Sequence, residues 1–489
     1  MHEADRTLEL SPADLDEMGR EVLKRLKQFL ASLPDQPAAD LGEAEVAAMR
    51  FREDLPRRGA PLEEILESFF QEAVPKAYNC ASPGYLAYVP GGGLPQSALA
   101  DLMADVTNRY VNVWTAAPAM AQIENSVIRW FCSIVGYGEE AGGYLASGGS
   151  MANFSALVAA RRDRLPDNFL KGMLYVSDQV HHCVLKAALL AGFSKENVRL
   201  VSCGSDFRMD TGALDDLIEQ DAAQGRQPFL VVASAGTTNT GAIDDLPRLA
   251  SICRRRSLWL HVDAAYGGFF MLTQRGRQLM RGLEGADSIA LDPHKGLFLP
   301  YGTGCLLVRQ RETLRRAHSV RGSYMPAMQE DASRVDFCEL SPELSRDFRG
   351  LRVWLPLKMH GIEPFRRYLD EKLDLARWAA GRLEQMDEIE LTAPPQLSLL
   401  AFRWKPAGID DPQRLNELNR KLLESINAQS GRIFLTGTTV GQDFLIRICV
   451  LCFRTHREQL EAALEDISQA LRQTQEAAAQ NLRVGRPSP

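Results

Sequence analysis

Residues 258–268 read LWLHVDAAYGG, an apolar run that ends at the carboxylate of Asp263 and continues into small residues. Such a run is typical of a buried strand, and the residues that follow it are typical of a loop. Similar apolar runs recur between positions 143 and 308, with helical patterns between several of them. The predicted strands are 173–177, 198–202, 229–234, 258–263, 288–291 and 304–308, and the predicted helices are 152–164, 183–191, 214–224 and 246–255.

This alternation predicts an α/β fold with a mostly parallel sheet and helices on both faces. In such sheets ligands bind at the carboxyl ends of the strands, in the loops that lead to helices. Earlier in the chain, Ser11 and Pro12 predict the start of an amphipathic helix that needs a partner surface. We expect three parts: an N-terminal helical segment over 1–105, a large α/β domain over 106–365 and a small α+β domain over 366–489.

The C-terminal third carries its own pattern of helices and strands. The segment 351–383 looks like one long helix, and later apolar runs predict two strands. The final residues are polar and predict a frayed tail. The expected elements after the long helix are strands at 397–403 and 444–449, a last helix over 457–471 and a tail from 473.

Composition and charge exclude several classes of protein. The chain has 489 residues, 45% of them hydrophobic and 24% charged, as in soluble globular proteins. Its 56 Lys and Arg against 63 Asp and Glu give a net charge of −7, which disfavours nucleic-acid binding. We find no run of about 18 uncharged apolar residues that predicts a membrane helix, and no signal-peptide pattern. Nine scattered cysteines favour reduced thiols and a cytoplasmic location.

Gly149 and Ser150 stand where a short strand passes into a helix. Glycine lets a ligand approach the backbone closely, and the free amides of a helix N-terminus attract an anion. The segment therefore predicts a phosphate site. A Gly-Ser turn without any ligand fits the same residues, and the lysine of a P-loop is missing.

Asp263 and Lys295 both follow predicted strands. A carboxylate at a strand end can pair with a protonated pyridine nitrogen, whereas the plainer alternative is an Asp that caps the next helix. Lys295 follows Asp292, Pro293 and His294 in an apolar, glycine-rich segment, which predicts a nucleophile for Schiff-base chemistry. Its neutral form requires the pKa to fall from about 10.4, and we expect burial near other cations to lower it. An isolated lysine would instead be interpreted as a surface residue.

Histidines supply the remaining candidates. His181 follows the strand that ends at 177 and can lie flat over a planar cofactor, or simply begin a helix. Its neighbours His182 and Cys183 suggest zinc, but adjacent side chains diverge and no zinc-finger spacing is near, so we expect no metal. An alternative hypothesis is a different class of enzyme, in which a set of two histidines and one carboxylate binds a non-haem iron. This hypothesis leaves Lys295 and the phosphate site without a role. That set would consist of His261, Asp263 and His294.

The ordered set Gly149-Ser150, His181, Thr238, Asp263-Ala264-Ala265-Tyr266 and Pro293-His294-Lys295 resembles the group II pyridoxal-phosphate decarboxylases. These are fold-type-I enzymes with a seven-stranded sheet. The resemblance extends from about Ser82 to His456, over most of the chain. It implies pyridoxal 5′-phosphate (PLP) as cofactor, an L-amino acid as substrate, and a homodimer with the active site at the subunit interface.

The resemblance also implies a role for each matching residue. Lys295 would hold the cofactor covalently, Asp263 would pair with its ring nitrogen and His181 would stack on the ring. Tyr324 matches a mobile-loop tyrosine that returns a proton to Cα, and the polar loop 321–336 has the composition of a lid. Gly149 and Ser150 would bind the phosphate, while Thr238, Ala265 and His294 would line the cofactor.

The identity of the amino acid rests on weaker signals. Tyrosines and a tryptophan near the expected pocket favour an aromatic side chain, although buried aromatics usually belong to the core and Asn112 favours a polar one. The same cofactor also supports oxygen-dependent conversion to an aldehyde. Asp292 departs from the family, which usually has Asn there; because its carboxylate would repel a phosphate, we expect it to point away or be paired. The expected substrate residues are Tyr88, Pro90, Asn112, Trp114 and Tyr301.

Overall fold

The computed structural model describes residues 8–320, 322–323, 328–329, 331 and 333–484. Most of the chain forms one large sheet with helices around it, followed by a smaller sheet. The strands are β1 (Gly142–Ala146), β2 (Gly172–Ser177), β3 (Val198–Val201), β4 (Gln227–Ser234), β5 (Trp259–Asp263), β6 (Ser288–Leu291), β7 (Gly304–Val308), β8 (Ile389–Leu391), β9 (Leu399–Trp404), β10 (Thr436–Val440) and β11 (Asp443–Cys449). The α-helices are α1 (Pro12–Ser32), α2 (Ala44–Arg50), α3 (Leu62–Ser68), α4 (Pro95–Thr107), α5 (Pro118–Ile134), α6 (Gly149–Arg164), α7 (His182–Leu190), α8 (Thr211–Ala223), α9 (Leu246–Arg256), α10 (Gln274–Leu279), α11 (Pro293–Gly296), α12 (Glu312–His318), α13 (Arg349–His360), α14 (Glu363–Leu383), α15 (Pro412–Ala428) and α16 (Arg457–Val484).

The large sheet has seven strands in the order β1-β7-β6-β5-β4-β2-β3. The four pairings from β6 to β3 are parallel, and β7 runs antiparallel to both β1 and β6. Every residue of β1, β2, β6 and β7 is buried, as continuous apolar runs in a covered sheet predict. The predicted mostly parallel, seven-stranded α/β fold is confirmed.

Two C-terminal predictions were wrong in detail. The segment expected as one helix is two, α13 and α14, because Gly361 adopts a left-handed backbone with φ of 69° and Pro364 begins the next helix. The last helix, α16, continues to Val484 instead of ending at 471, so the expected frayed tail is helical over most of its length. Its Ala, Glu and Gln residues are strong helix formers, which explains the extension.

The smaller sheet is antiparallel, with strand order β10-β11-β9-β8, and α14, α15 and α16 pack on it. Arg447 on β11 reaches from this sheet back to the large one. Its buried guanidinium donates to the carbonyls of Asn239 (3.2 Å), Tyr88 (3.4 Å) and Thr238. The small sheet is therefore tied to two loops of the main body by one side chain.

Helix α1 begins as the sequence predicts. The Ser11 hydroxyl accepts from the Asp14 amide at 3.1 Å, and the Asp14 carboxylate accepts in return from the Ser11 amide at 3.1 Å. The helix buries none of its residues, and apolar side chains such as Leu15 and Leu26 stay exposed. Among the described residues, no helix combines the length and apolarity needed to cross a bilayer. The division of the chain at 105 and 365 stays a prediction.

Candidate active site

The carboxyl ends of β4, β5 and β6 border a cleft of about 300 Å³. Strand pairing places Asp263 of β5 beside Ser234 of β4 and Ala290 of β6, as expected for a ligand site in a parallel sheet. Eight of the residues singled out in the sequence line this cleft together. They are Gly149, Ser150, His181, Thr238, Asp263, Ala265, His294 and Lys295.

The start of α6 forms one wall. Gly148 caps this helix without a side-chain hydrogen bond, so its first amides face the cleft uncapped by a side chain. A Cβ atom at Gly149 would lie 3.0 Å from both the Ala265 Cβ and the Asp292 Oδ2. Glycine is therefore needed for these three segments to meet, and the helix N-terminus offers an anion site between them.

Asp263 lines the same cleft and is held by two donors. Its Oδ1 accepts from the Ala265 amide at 3.1 Å, and its Oδ2 accepts from the Asn153 side-chain amide at 2.8 Å. The next helical turn, Gly268–Leu272, is capped by Gly267, so Asp263 is not a helix cap. The carboxylate remains available to a ligand at the strand end.

Lys295 of α11 is paired with Asp292, the residue immediately before that helix. The Lys295 Nζ lies 3.0 Å from the Asp292 Oδ2, and the His294 Nε2 lies 3.5 Å from the same oxygen. Burial alone would lower the pKa of Lys295, but the carboxylates of Asp292 and Asp263 raise it above its ordinary value. The expectation that cations lower this pKa is wrong here, because the charged neighbours are anions. Asp292 is paired, as its position near the phosphate site suggested.

Asp292 is 2% exposed, and only one of its two carboxylate oxygens, Oδ2, contacts a charged partner. Within the described part of the chain, its Oδ1 is buried and finds no hydrogen-bond partner. An unsatisfied carboxylate oxygen at this depth is costly, so the ion pair with Lys295 is what stabilises the charge.

His181 both caps α7 and lines the cleft. Its Nδ1 accepts from the Cys183 amide at 3.3 Å, and its ring centroid lies 4.1 Å from that of His182. Burial lowers the pKa of His181, and His182 lowers it further, so the ring is neutral near pH 7. The helix-start and cofactor-contact interpretations are compatible with each other.

The residues of the proposed iron set do not converge on a metal. Both ring nitrogens of His261 are engaged, Nδ1 with the Ser288 hydroxyl and Nε2 with the Asn153 carbonyl oxygen, each at 2.8 Å. The His294 Nδ1 donates to the Thr303 carbonyl at 2.6 Å. No group of three or more candidate ligands is arranged for a metal among the residues that the structure describes. The iron hypothesis was wrong, since these histidines serve as hydrogen-bonding groups.

Asn112, expected at the substrate, is buried in its own chain. Its amide nitrogen donates to the carbonyls of Glu343 (2.8 Å) and Leu344 (2.7 Å), and its oxygen accepts from Arg346. Arg346 in turn pairs with Glu124, and their side chains are 2% and 0% exposed. Asn112 therefore belongs to a buried polar network, and it does not line the described cleft.

The other expected substrate residues lie at the rim or outside it. Tyr88 and Tyr301 are exposed by 50% and 60%, and the Tyr301 ring lies 5.6 Å from that of His294. Pro90 precedes Gly91, where a Cβ would lie 2.1 Å from the His294 carbonyl oxygen, so this loop packs on the Lys295 turn. The Trp114 amide donates to Asp336 at 2.7 Å. Tyr324 lies outside the described residues.

Sequence reasoning missed Asn153, which reaches Asp263 from the second turn of α6. One signal was present: Asn is a poor helix former, and it stands among apolar residues of a helix that the sequence places in the core. It also missed that Asp292 is the partner of Lys295, although the spacing of three residues on a helical turn allows that contact.

Comparisons with known proteins identify a matching family. The pyridoxal-dependent decarboxylase conserved domain matches residues 46–405. The chain is 32% identical over 454 residues to the aromatic-L-amino-acid decarboxylase of Bacillus atrophaeus, covering 93% of this chain and 94% of that protein.

Solved structures show the same likeness. The TM-score is 0.90 to Oryza sativa TDC with PLP and tryptamine, at 25% identity, over 96% of this chain and 99% of that one. It is 0.87 to the Rhodiola rosea 4-hydroxyphenylacetaldehyde synthase, also at 25% identity, over 95% and 99%. The match to the conserved domain spans most of the chain, and the chain therefore belongs to the pyridoxal-dependent decarboxylase family.

Proposed function

We propose that this PLP-dependent enzyme decarboxylates an aromatic L-amino acid to the amine and CO₂, with Lys295 as the residue that carries the cofactor. The observation that supports it most directly is the placement of Lys295 and Asp263 in one cleft with the glycine wall at Gly149. An aromatic substrate is supported by the relatives named above and by Tyr301, whose ring lies 5.6 Å from that of His294.

The residues present fit PLP on three separate grounds. The uncapped start of α6 and the glycine at 149 suit a phosphate. The strand-end carboxylate of Asp263 suits a protonated ring nitrogen, and the neutral His181 ring suits contact with a planar ring. Thr238, Ala265 and His294 line the same cleft. The chemistry that PLP supplies when bound is an electron sink for the bond to the departing carboxylate.

The chain's own residues then divide the remaining work. Asp263 keeps the proton on the ring nitrogen, and the α6 amides with the Ser150 hydroxyl anchor the phosphate. Lys295 would carry the cofactor until a substrate amine takes its place, and Asp292, 3.0 Å away, would then pair with the released ammonium group. Tyr324 returns a proton to Cα, a step of the kind typically worth about 10²–10⁴ in rate.

The test is a panel of amino acids incubated with purified enzyme, while CO₂, amine, H₂O₂ and ammonia are followed together. We expect CO₂ and amine from an aromatic substrate. Hydride trapping followed by mass spectrometry should find the adduct on Lys295, and Lys295→Ala should lack both turnover and adduct. A wild-type protein supplied with PLP that shows no adduct at Lys295 would overturn the proposal.

Conversion to an aldehyde is the second candidate, and the structural likeness to an aldehyde synthase favours keeping it. The same panel separates the two outcomes, because the aldehyde route consumes oxygen and releases H₂O₂ and ammonia. Amine as the sole organic product excludes it.

A homodimer is the assembly we propose. Helix α1 buries none of its residues, and α4 exposes a second apolar set that includes Leu99, Leu102 and Met103. A partner subunit that covers both faces would remove this surface from water. Light scattering after size exclusion should give twice the mass of the chain, and Leu102→Glu should give the monomer. A wild-type monomer at micromolar concentration would contradict the assembly.

Two further predictions concern the loop and the compartment. We propose that the segment 321–336 closes over the substrate, so cleavage by trypsin at Arg334 should slow when a substrate analogue binds. Cleavage that is equally fast with and without the analogue would contradict a lid.

A cytoplasmic location is supported by the nine cysteines, all of which are free thiols.

A further inference from the structure

A chain of hydrogen bonds extends from Asp263 into the core, away from the cleft. Asp263 Oδ2 accepts from Asn153 Nδ2, and Asn153 Oδ1 contacts His261 Nε2, both at 2.8 Å. His261 Nδ1 contacts the Ser288 hydroxyl at 2.8 Å, and the Trp259 indole N–H donates to that hydroxyl at 2.8 Å. The four residues behind Asp263 are 3% exposed or less, so water does not compete for these bonds.

The far end of this chain allows one consistent direction for every bond. An indole nitrogen can only donate, so the Ser288 oxygen accepts from Trp259 and its own proton is free to point to His261. In that arrangement His261 Nδ1 accepts from Ser288, and the ring proton is on Nε2. Nε2 donates to the Asn153 oxygen, and the Asn153 nitrogen donates to Asp263.

The near end decides that direction. An ionised Asp263 can only accept, so Asn153 must present its NH₂ group to it and its oxygen to His261. Burial lowers the pKa of His261 to about 4, so the ring is neutral and carries one proton. The near end therefore requires the tautomer of His261 with hydrogen on Nε2, and the far end accommodates it.

We propose that Trp259, Ser288, His261 and Asn153 form a directed relay of positioning residues that fixes the Asp263 carboxylate as an ionised acceptor. This inference rests on the proposed function, in which Asp263 pairs with the ring nitrogen of PLP. With a donor held on Oδ2, the carboxylate meets the ring nitrogen as an acceptor, so the shared proton stays on the ring nitrogen. The neutral amide of Asn153 accomplishes this without bringing a positive charge beside the ring.

The first test reads the tautomer of His261 and needs no disruption of the relay. The wild-type protein is labelled with ¹⁵N in its eight histidines, and the His261→Phe variant identifies the signal. We expect one neutral tautomer, protonated at Nε2, both in the cofactor-free protein and in the PLP-loaded enzyme. Hydrogen on Nδ1, or a mixture of tautomers, would overturn the relay.

The second test reads the ring nitrogen of PLP labelled with ¹⁵N. In Asn153→Ala we expect its chemical shift to move toward the unprotonated value, and kcat to fall about tenfold or more while KM changes little. Ser288→Ala should shift it in the same direction by less, because Asn153 is still present.

Ser155→Ala is the matched control. Ser155 is also a fully buried serine bonded to an aromatic residue, the Tyr144 hydroxyl at 2.6 Å, but it has no link to Asp263. Its ring-nitrogen shift should equal that of the wild type.

The two hypotheses fail in different ways. A wild-type protein that forms no adduct at Lys295 refutes the proposed function. A wild-type enzyme that binds PLP with a protonated ring nitrogen, together with an Asn153→Ala or His261→Phe variant that keeps it fully protonated, refutes the relay alone. If one variant does not fold, the other and the wild-type tautomer still decide.

Discussion

Asp292→Asn should increase the reactivity of Lys295 in the cofactor-free protein. The ammonium and the carboxylate are 3.0 Å apart, and Asp292 is almost fully buried. At an effective dielectric constant of about 20, their attraction is about 5.5 kcal/mol. Because about 1.4 kcal/mol changes the neutral fraction of an amine tenfold, a quarter of that attraction is sufficient for a tenfold effect. We therefore expect at least about a tenfold rise in the neutral fraction at pH 8.

The assay is competitive labelling with a trace of acetic anhydride, since only the neutral amine reacts. Peptide mass spectrometry gives the labelling rate of Lys295 relative to the exposed Lys24 in the same sample. The matched control is Asp40→Asn, which removes a partner 2.8 Å from Lys76 in a solvent-accessible pair. We expect it to change Lys76 only slightly and Lys295 not at all, because water screens that pair. A Lys295 rate in Asp292→Asn within twofold of the wild type would refute the reasoning.

Three further predictions test other parts of the structure. Gly149→Ala places a methyl group 3.0 Å from two neighbouring atoms. We expect a fluorescence titration to show that PLP binds at least about tenfold more weakly. Unchanged binding would contradict a phosphate site at this position. Glu124→Ala leaves the buried Arg346 without its carboxylate partner and should lower the free energy of unfolding, measured in urea, by about 3–5 kcal/mol. The control is Asp163→Ala, which removes the partner of the more exposed Arg316 and should lower it by less than about 1 kcal/mol. Burial lowers the pKa of His318 to about 4, so the unfolded chain binds a proton at this residue before the folded one does as the pH falls below about 6.5. The contribution of His318 to the free energy of unfolding should therefore drop by about 2 kcal/mol from pH 7 to pH 5. A His318→Gln variant that shows the same drop as the wild type would contradict this.

The parts of the site that follow strands could be predicted from the sequence. Asp263 and Lys295 each come directly after an apolar run, and a parallel sheet brings such ends together wherever the runs pair. The number of residues between Asp263 and Lys295 in the sequence did not affect the prediction that they lie close together. The outline of the large sheet followed from the same local pattern.

The parts that depend on long-range partners could not be predicted in this way. Asn112 looks like a pocket residue in the sequence, but it is paired with Arg346, more than two hundred residues later. His261 with Asp263 looks like a metal pair until Asn153 and Ser288 are found at its two nitrogens. A side chain with two hydrogen-bonding atoms shows its role only when both partners are known.

Arg447 has a consequence for how substrates enter. Its guanidinium joins the Tyr88 loop and the Thr238 loop to β11 while it is itself buried. A swing of the C-terminal sheet away from the cleft would break its hydrogen bonds to Tyr88, Thr238 and Asn239 together, each worth about 1.5–3 kcal/mol for a charged donor. The segments around Lys295 are therefore held in fixed positions relative to one another. We expect substrate access to depend on the movement of single loops and not of the whole C-terminal sheet.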